Sequence, residues 1–405
     1  MKKLSFVLTL STAMTLAFSA CKKLVSASPS KDAVMSSAIE GLSLEQNKRF
    51  SDGSEEFSEI YDEGSGLGPI YVATSCASCH SGDNKGHPST NLTRFGQIDT
   101  NGNQYLDRGA PQLQHFALPG YTGERIPQGA MSSNFMAPIV AGLGYIELVP
   151  EQDMIDMADP QDLNGDGISG RVHWNVIPNW VKPSANAIQQ NGKYICRFGR
   201  KGGVYNLHQQ IVGAFNNDMG ITTSYMPIDP YNAESGIHPS LSSGADIDDK
   251  SLNSTVFYIQ ALQAPIQRDQ NNVVVMEGKT IFKNIGCAKC HVESLRTGNS
   301  IISALHQKTF YPYTDLLLHD MGAALNDHYT EGFAMASEWR TTPLWGVGLS
   351  KDAQGGVMYL MHDGRAGSFE EAIQWHGGEA EQSKINFNQI SKTDQNRLIA
   401  FLSSL

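Results

Sequence analysis

The sequence predicts a mainly α protein in two halves, and three observations predict it. A helical pattern leading into Cys-x-x-Cys-His occurs twice, once before Cys76 and once before Cys287. Two further helical patterns, at 369–375 and 394–402, follow near the C-terminus. From about 85 to 250 the chain is dense in Gly, Pro, Asn and Asp with short apolar stretches, the mark of turns, loops and short helices with few strands.

Along the chain, Lys2 and Lys3 precede a short apolar run, Leu4 to Phe18, broken by Ser and Thr. The run is too short and too polar to span a bilayer, so 1–20 reads as a signal peptide. It ends in Phe18-Ser19-Ala20-Cys21, which resembles a bacterial lipobox with Phe in place of Leu. Cys21 is therefore the expected lipidation site, and the alternative is an ordinary signal peptide with an incidental Cys. Residues 21–45, rich in Ser, Lys and Ala, are expected to be a tether. Phe50, Phe57, Ile60 and Tyr61 fall on one face of the first body helix. Glu277 to Ile285 reads as the helix before the second motif, and Thr393, or alternatively Ser391, is the expected N-cap of the last helix.

The formal charge of -11 comes without a basic stripe, which excludes nucleic acid as a partner. An acidic surface suits a small basic electron-donor cytochrome, or serves only solubility. No later stretch approaches about eighteen apolar residues, so membrane contact is expected through the N-terminal lipid alone. Localisation is then the periplasm or cell envelope.

Six Cys are present. Four of them form Cys76-Ala77-Ser78-Cys79-His80 and Cys287-Ala288-Lys289-Cys290-His291. Two thiols three residues apart lie along one edge of a helical turn, where they can bond the vinyl groups of haem while the adjacent His meets the iron. A zinc centre would need Cys pairs roughly two hundred residues apart to meet and would leave both His unexplained. A thioredoxin-like pair would need a βαβ context, which is absent. Two covalently bound haem c groups are the reading, with Cys76, Cys79, His80, Cys287, Cys290 and His291 holding them. Cys196 is expected to be a buried thiol without redox duty.

The C-terminal third carries an ordered series: Leu318-His319-Asp320-Met321-Gly322, Glu338 to Gly346, His362-Asp363-Gly364-Arg365-Ala366, Glu371-Ala372-Ile373 and His376-Gly377-Gly378-Glu379-Ala380. Earlier blocks, Gly142 to Glu147, Ala158-Asp159-Pro160, Asp166 to Arg171 and Asp218 to Thr222, agree with it. Together they resemble the di-haem oxidoreductases, relatives of the bacterial di-haem cytochrome c peroxidases, over nearly the whole mature chain. The resemblance implies two cytochrome c-like domains with a long loop-rich insertion in the first, spanning 46–265 and 266–405. In the peroxidase relatives an axial Met follows the His of a similar H-D-G loop by fourteen residues; in this chain that place is His376. His291 and His376 are thus the expected axial pair of the second haem, and imidazole for thioether lowers its potential. His362 is expected to hold its loop over that haem. For the first haem no sixth ligand stands out among His87, His115, Met131, Met136 and Met219. Peroxide cleavage needs an acid-base group, and a distal Glu has that role in the resembling enzymes; Glu147 is the candidate, with a structural ion-paired acid as the alternative.

Asp162, Asn164 and Asp166 alternate oxygen side chains as in the first half of a calcium loop, although His173 stands at the twelfth position where Glu is needed. Asp99 to Asp107 is a poorer match. An ordinary Asp/Asn-Gly turn is the alternative at both. Trp339, Trp345 and Trp375 either pack on porphyrin or relay electrons.

The activity expected is reduction of hydrogen peroxide, or another small substrate, with electrons passed between the haems. The alternatives are a di-haem electron-transfer cytochrome, and oxidation of an organic or protein substrate through high-valent haem iron.

Overall fold

The computed structural model describes residues 35–81, 85–230, 232–237 and 244–405; the signal peptide, Cys21 and the tether up to residue 34 lie outside the described residues. The main helices are α1 (Leu44–Ser58), the one-turn α2 (Cys76–Cys79), α3 (Leu143–Glu147), α4 (Leu207–Met219), α5 (Asp249–Ala261), α6 (Val273–Asn284), α7 (Phe369–Trp375) and α8 (Lys392–Ser404). Side-chain caps start the longer ones: Ser43 with Gln46 in a capping box on α1, Asp248 on α5 and Asn272 on α6. Ser391, not Thr393, caps α8, because its hydroxyl reaches the third helical N–H, that of Asp394, at 3.2 Å.

Two helix crossings organise the body. On α1, Gly53 lies so close to the Ser254 carbonyl of α5 that a Cβ would collide with it. Phe50 and Phe57 then meet Tyr258 of α5 at ring distances of 4.9 and 5.3 Å. On α6, Gly278 makes the same approach to the Arg397 carbonyl of α8, and Phe282 meets Phe401 at 5.2 Å. A glycine followed four residues later by phenylalanine thus serves both crossings. Helix α1 ends at Ser58, so Ile60, expected on its buried face, lies beyond it and is 72% exposed. Residues 35–43, expected as tether, lie against the end of α5: Ile39 N donates to Ala261 O, Gln263 N donates to Ser37 O, and Met35 and Ile39 are buried.

Helix makes up 35% and strand 12% of the structure, and the longest elements are helices. The strands come in small antiparallel pieces: β1 (Leu92–Phe95) with β2 (Ser132–Phe135), β3 (His173–Asn175) with β4 (Lys193–Cys196), and β5 (Leu318–Asp320) with β6 (Glu338–Arg340). The described residues form one body with two main hydrophobic clusters. One joins Phe57, Ile139, Leu207, Phe215 and Val256, and the other joins Val275, Phe282, Phe369, Leu398 and Phe401. Trp345 belongs to the first cluster and also lines the cavity beside the second.

Candidate functional site

The first motif is a capped helical turn. Ser75 accepts the Ser78 N–H at 3.0 Å and starts α2, and His80 N donates to Cys76 O at 3.0 Å to close it. Cys76 and Cys79 are free thiols. Burial, then the charge of Asp218, pushes both up to about 12. Raised thiol pKa values disfavour the thiolate form that a nucleophilic redox cysteine uses. The His80 ring packs near Phe57 at 5.9 Å. Burial lowers its pKa to about 4, which leaves it neutral at pH 7, the form that binds metal. Its Nδ1 is buried, and the Pro138 carbonyl is the backbone group that acts on the ring.

The second motif follows α6 through Gly286, whose φ of 100° is open to glycine and rarely to other residues. His291 N donates to Cys287 O at 3.0 Å. Its ring Nδ1 donates to the Tyr313 carbonyl at 3.0 Å. Across the cavity, His376 closes the end of α7 and its Nδ1 donates to the Ala372 carbonyl at 2.8 Å. Burial lowers both His pKa values, that of His291 to about 4 with His376 as a further cause. Each ring is therefore neutral, held by a backbone carbonyl at Nδ1, with Nε2 left for a metal, the usual outer arrangement of a ligating imidazole. Cys287, Cys290, His291 and His376 all line one cavity of about 260 Å³, walled by Phe282, Leu344, Leu360 and Ile373. The donor set fits haem c held by two thioethers and two imidazoles.

Around this cavity lie groups to which sequence reasoning gave no task. His319 donates Nε2 to Asp315 at 2.9 Å and Nδ1 to Glu379 at 2.7 Å. Burial alone would lower its pKa, but hydrogen bonds with Asp315, Cys290 and Glu379 carry it up to about 12. It is a fixed imidazolium. Cys290, Asp315 and His319 converge within 4.8 Å, a spacing that would suit a metal ion. Both ring nitrogens are already bonded to carboxylates, and Cys290 belongs to the haem motif, so the cluster reads as an ion-pair network. His319 and Glu379 both stand in the family-like blocks, which was the available signal.

His362 stacks on Trp339 at 3.7 Å, with an interplanar angle of 17°, and hydrogen-bonds Asp327 at 2.7 Å. Its ring is used up in holding the loop beside the cavity. Lys201, fully buried, sits over the Trp339 ring at 3.9 Å and gives its three N–H groups to the carbonyls of Met335, Ala336 and Glu338. Trp345 also lines the cavity. Trp375 has Arg365 over its ring at 4.9 Å.

Glu147, the candidate acid-base group for the first haem, lies half-buried between helices. Its Oε1 accepts the Leu207 N–H at the first turn of α4, at 2.8 Å, and its Oε2 accepts from Gln260 at 2.7 Å. Both oxygens tie α3 to α4 and α5. The carboxyl acting on Cys76 and Cys79 is Asp218, which burial pushes up to about 6 and which accepts from Gln112. In the supposed calcium loop, Asp162, Asn164 and Asp166 accept backbone N–H groups of the loop itself, and Asp166 pairs with Lys289 at 3.0 Å. A side-chain cation already stands there. Cys196 is buried, and burial raises its thiol to about 12.

The model of the family described as "Di-haem oxidoreductase, putative peroxidase" matches residues 128–405. The chain belongs to this family. Membership implies haem cofactors and oxidoreductase chemistry. The matched span holds Cys287 to His291 and His376 and begins after the first motif, so the first site stands on its own Cys-x-x-Cys-His. No curated protein matches the sequence. Among solved structures, the hydrazine synthase of Kuenenia stuttgartiensis is similar at 12% identity, over 91% of this chain and 90% of that one, with a TM-score of 0.41. A MauG-like protein associated with microbial copper homeostasis gives 12%, 91%, 92% and 0.38. The diheme peroxidase BthA from Burkholderia thailandensis gives 16%, 88%, 86% and 0.40. Scores at this level carry no argument about what this di-haem oxidoreductase acts on.

Proposed function

We propose that this di-haem oxidoreductase is an exported c-type peroxidase: it takes electrons at the second haem and reduces hydrogen peroxide at the first. The observation that carries the reading is the unequal setting of the two motif histidines. His291 has the His376 imidazole acting on it across the cavity, whereas no second imidazole acts on His80 among the described residues.

Haem iron with both faces filled supplies electron transfer, and haem iron with one free face supplies a site for peroxide. The chain's residues do the rest. Cys76 with Cys79, and Cys287 with Cys290, hold the two groups covalently. His291 and His376 stay neutral because burial disfavours their charged form, and their Nδ1 bonds fix ring orientation in both redox states. His80 presents a neutral ring in the same way. Reduction of one peroxide to two waters consumes two electrons and two protons, so a one-electron donor, such as a small cytochrome, must deliver twice. Asp218 is the buried carboxyl nearest neutrality beside the first motif, and protons can be exchanged there. Lipidation at Cys21 would keep the protein at the cell envelope, and Cys21→Ala should release it from membranes.

Spin state tests the assignment. Ferric protein matured with both haems should show one high-spin and one low-spin centre, and the reduced first haem should bind carbon monoxide. Two low-spin haems inert to carbon monoxide would instead make the protein an electron-transfer cytochrome.

A further inference from the structure

We propose that Lys85, Arg200 and Arg340 form a carboxylate cradle that takes the propionate groups of the haem held by Cys287 and Cys290. The inference rests on the haem reading of that site and adds the residues that receive the acidic side of the group. All three side chains line the same cavity as His291 and His376.

Their partners are what single them out. Arg200 and Arg340 are each 8% exposed. Arg200 gives Nε and Nη2 to the Met136 carbonyl at 2.9 and 2.7 Å. Arg340 gives Nε to the Gly199 carbonyl and Nη1 to the Thr341 carbonyl, both at 3.1 Å. Lys85 gives one N–H to the Ser350 hydroxyl. A guanidinium has five N–H donors and an ammonium three, so Nη1 of Arg200, Nη2 of Arg340 and two donors of Lys85 are left over. Among the described residues none of the three has a carboxylate within 4.0 Å.

Among the described residues several other cations are provided for, although Arg94, whose buried Nε is unpartnered, also has no carboxylate within 4.0 Å. Arg197 has Glu151 at 3.7 Å, Arg171 has Glu338, and Lys201 spends all three donors on carbonyls. In the cavity Arg200 acts on Lys85 and Arg340 acts on Arg200, cation against cation, while Asp363 and Asp315, each beyond 4.0 Å, act on Arg200 and Arg340. Burial, with that repulsion, lowers Lys85 to about 7 and Arg200 to about 10, and burial lowers Arg340 to about 10. Three like charges gathered out of water are costly unless an anion joins them. Guanidinium groups match carboxylates in shape and charge, and haem brings two carboxylates into this cavity. The cations should then favour the reduced, less positive iron and offset part of the lowering that the second imidazole causes.

The test is spectroelectrochemistry of holo protein carrying Arg200→Gln, Arg340→Gln or Lys85→Gln. Each should reduce the equilibrium constant for reduction of the second haem about tenfold, a fall of about 59 mV for one electron, while Arg340→Lys keeps most of the wild-type value. Lys85, being only partly buried, gives a variant that folds even where an arginine replacement does not. Unchanged potentials with haem still attached would overturn the cradle. So would a wild-type potential that follows added formate and loses that response in the Gln variants, since the cations would then serve a free anion. Mass spectrometry showing no haem at the second motif would instead overturn the haem reading beneath it.

Discussion

The two Cys-x-x-Cys-His regions are built alike up to the histidine and differently beyond it. Before each motif runs a helix with glycine and, four residues later, phenylalanine: Gly53 and Phe57 on α1, Gly278 and Phe282 on α6. Each glycine lets a later helix approach at backbone distance, and each phenylalanine lies near the motif histidine, at 5.9 Å from His80 and 6.3 Å from His291. Past that point the second histidine, tied at Nδ1 to Tyr313, has the His376 imidazole acting on it, whereas among the described residues no second imidazole acts on His80, whose ring has the Pro138 carbonyl acting on it. On the proposed reading, a shared frame would place haem twice, and the residues outside the frame would decide whether each iron is closed or left open.

The sharpest way to break this comparison is His376→Ala. It should convert the second haem from low to high spin while mass spectrometry still finds both haems; an unchanged ferric spectrum would refute the ligand. Next comes the frame itself. Gly53→Val and Gly278→Val should each destabilise the protein by about 1–3 kcal/mol through overpacking, read by urea unfolding of holo protein. If only one of them does so, the two crossings are not equivalent.

A smaller effect concerns the second region alone. His319 has its folded pKa raised from 6.5 to about 12, because carboxylate hydrogen bonds outweigh burial. Its stabilising contribution should therefore be full below pH 6.5 and shrink as pH rises toward 12. The stability gap between wild type and His319→Gln should narrow over that range; a gap that widens would remove the imidazolium. The smallest change is expected at Glu147. Glu147→Gln should cost about 1 kcal/mol and leave peroxide turnover of the folded protein within twofold. A hundredfold loss would restore Glu147 as an acid-base group.

Much of the site was legible as sequence because covalent chemistry needs its residues at fixed local spacing. The two haem motifs are of that kind, and resemblance to the family adds His376, fourteen residues beyond His362. Legibility ended where a role depends on what lies across space. Glu147 stands in an apolar block that suits a catalytic acid as well as a structural one, and only the packing of α3 on α4 and α5 shows its oxygens already bonded. The calcium-like loop reads the same with or without Lys289 against Asp166. Ser391 and Thr393 were both plausible caps until the hydroxyl geometry chose between them.

By itself, then, the chain's order of residues marked the two places where haem would be attached, since two thiols and a histidine within five residues need no distant partner. It did not settle that Lys85, Arg200 and Arg340 share one cavity, that His319 is held between Asp315 and Glu379, or that the two motifs differ behind the histidine. Those are decided by tertiary structure, because burial and long-range charge exist only once segments far apart in the chain have packed together.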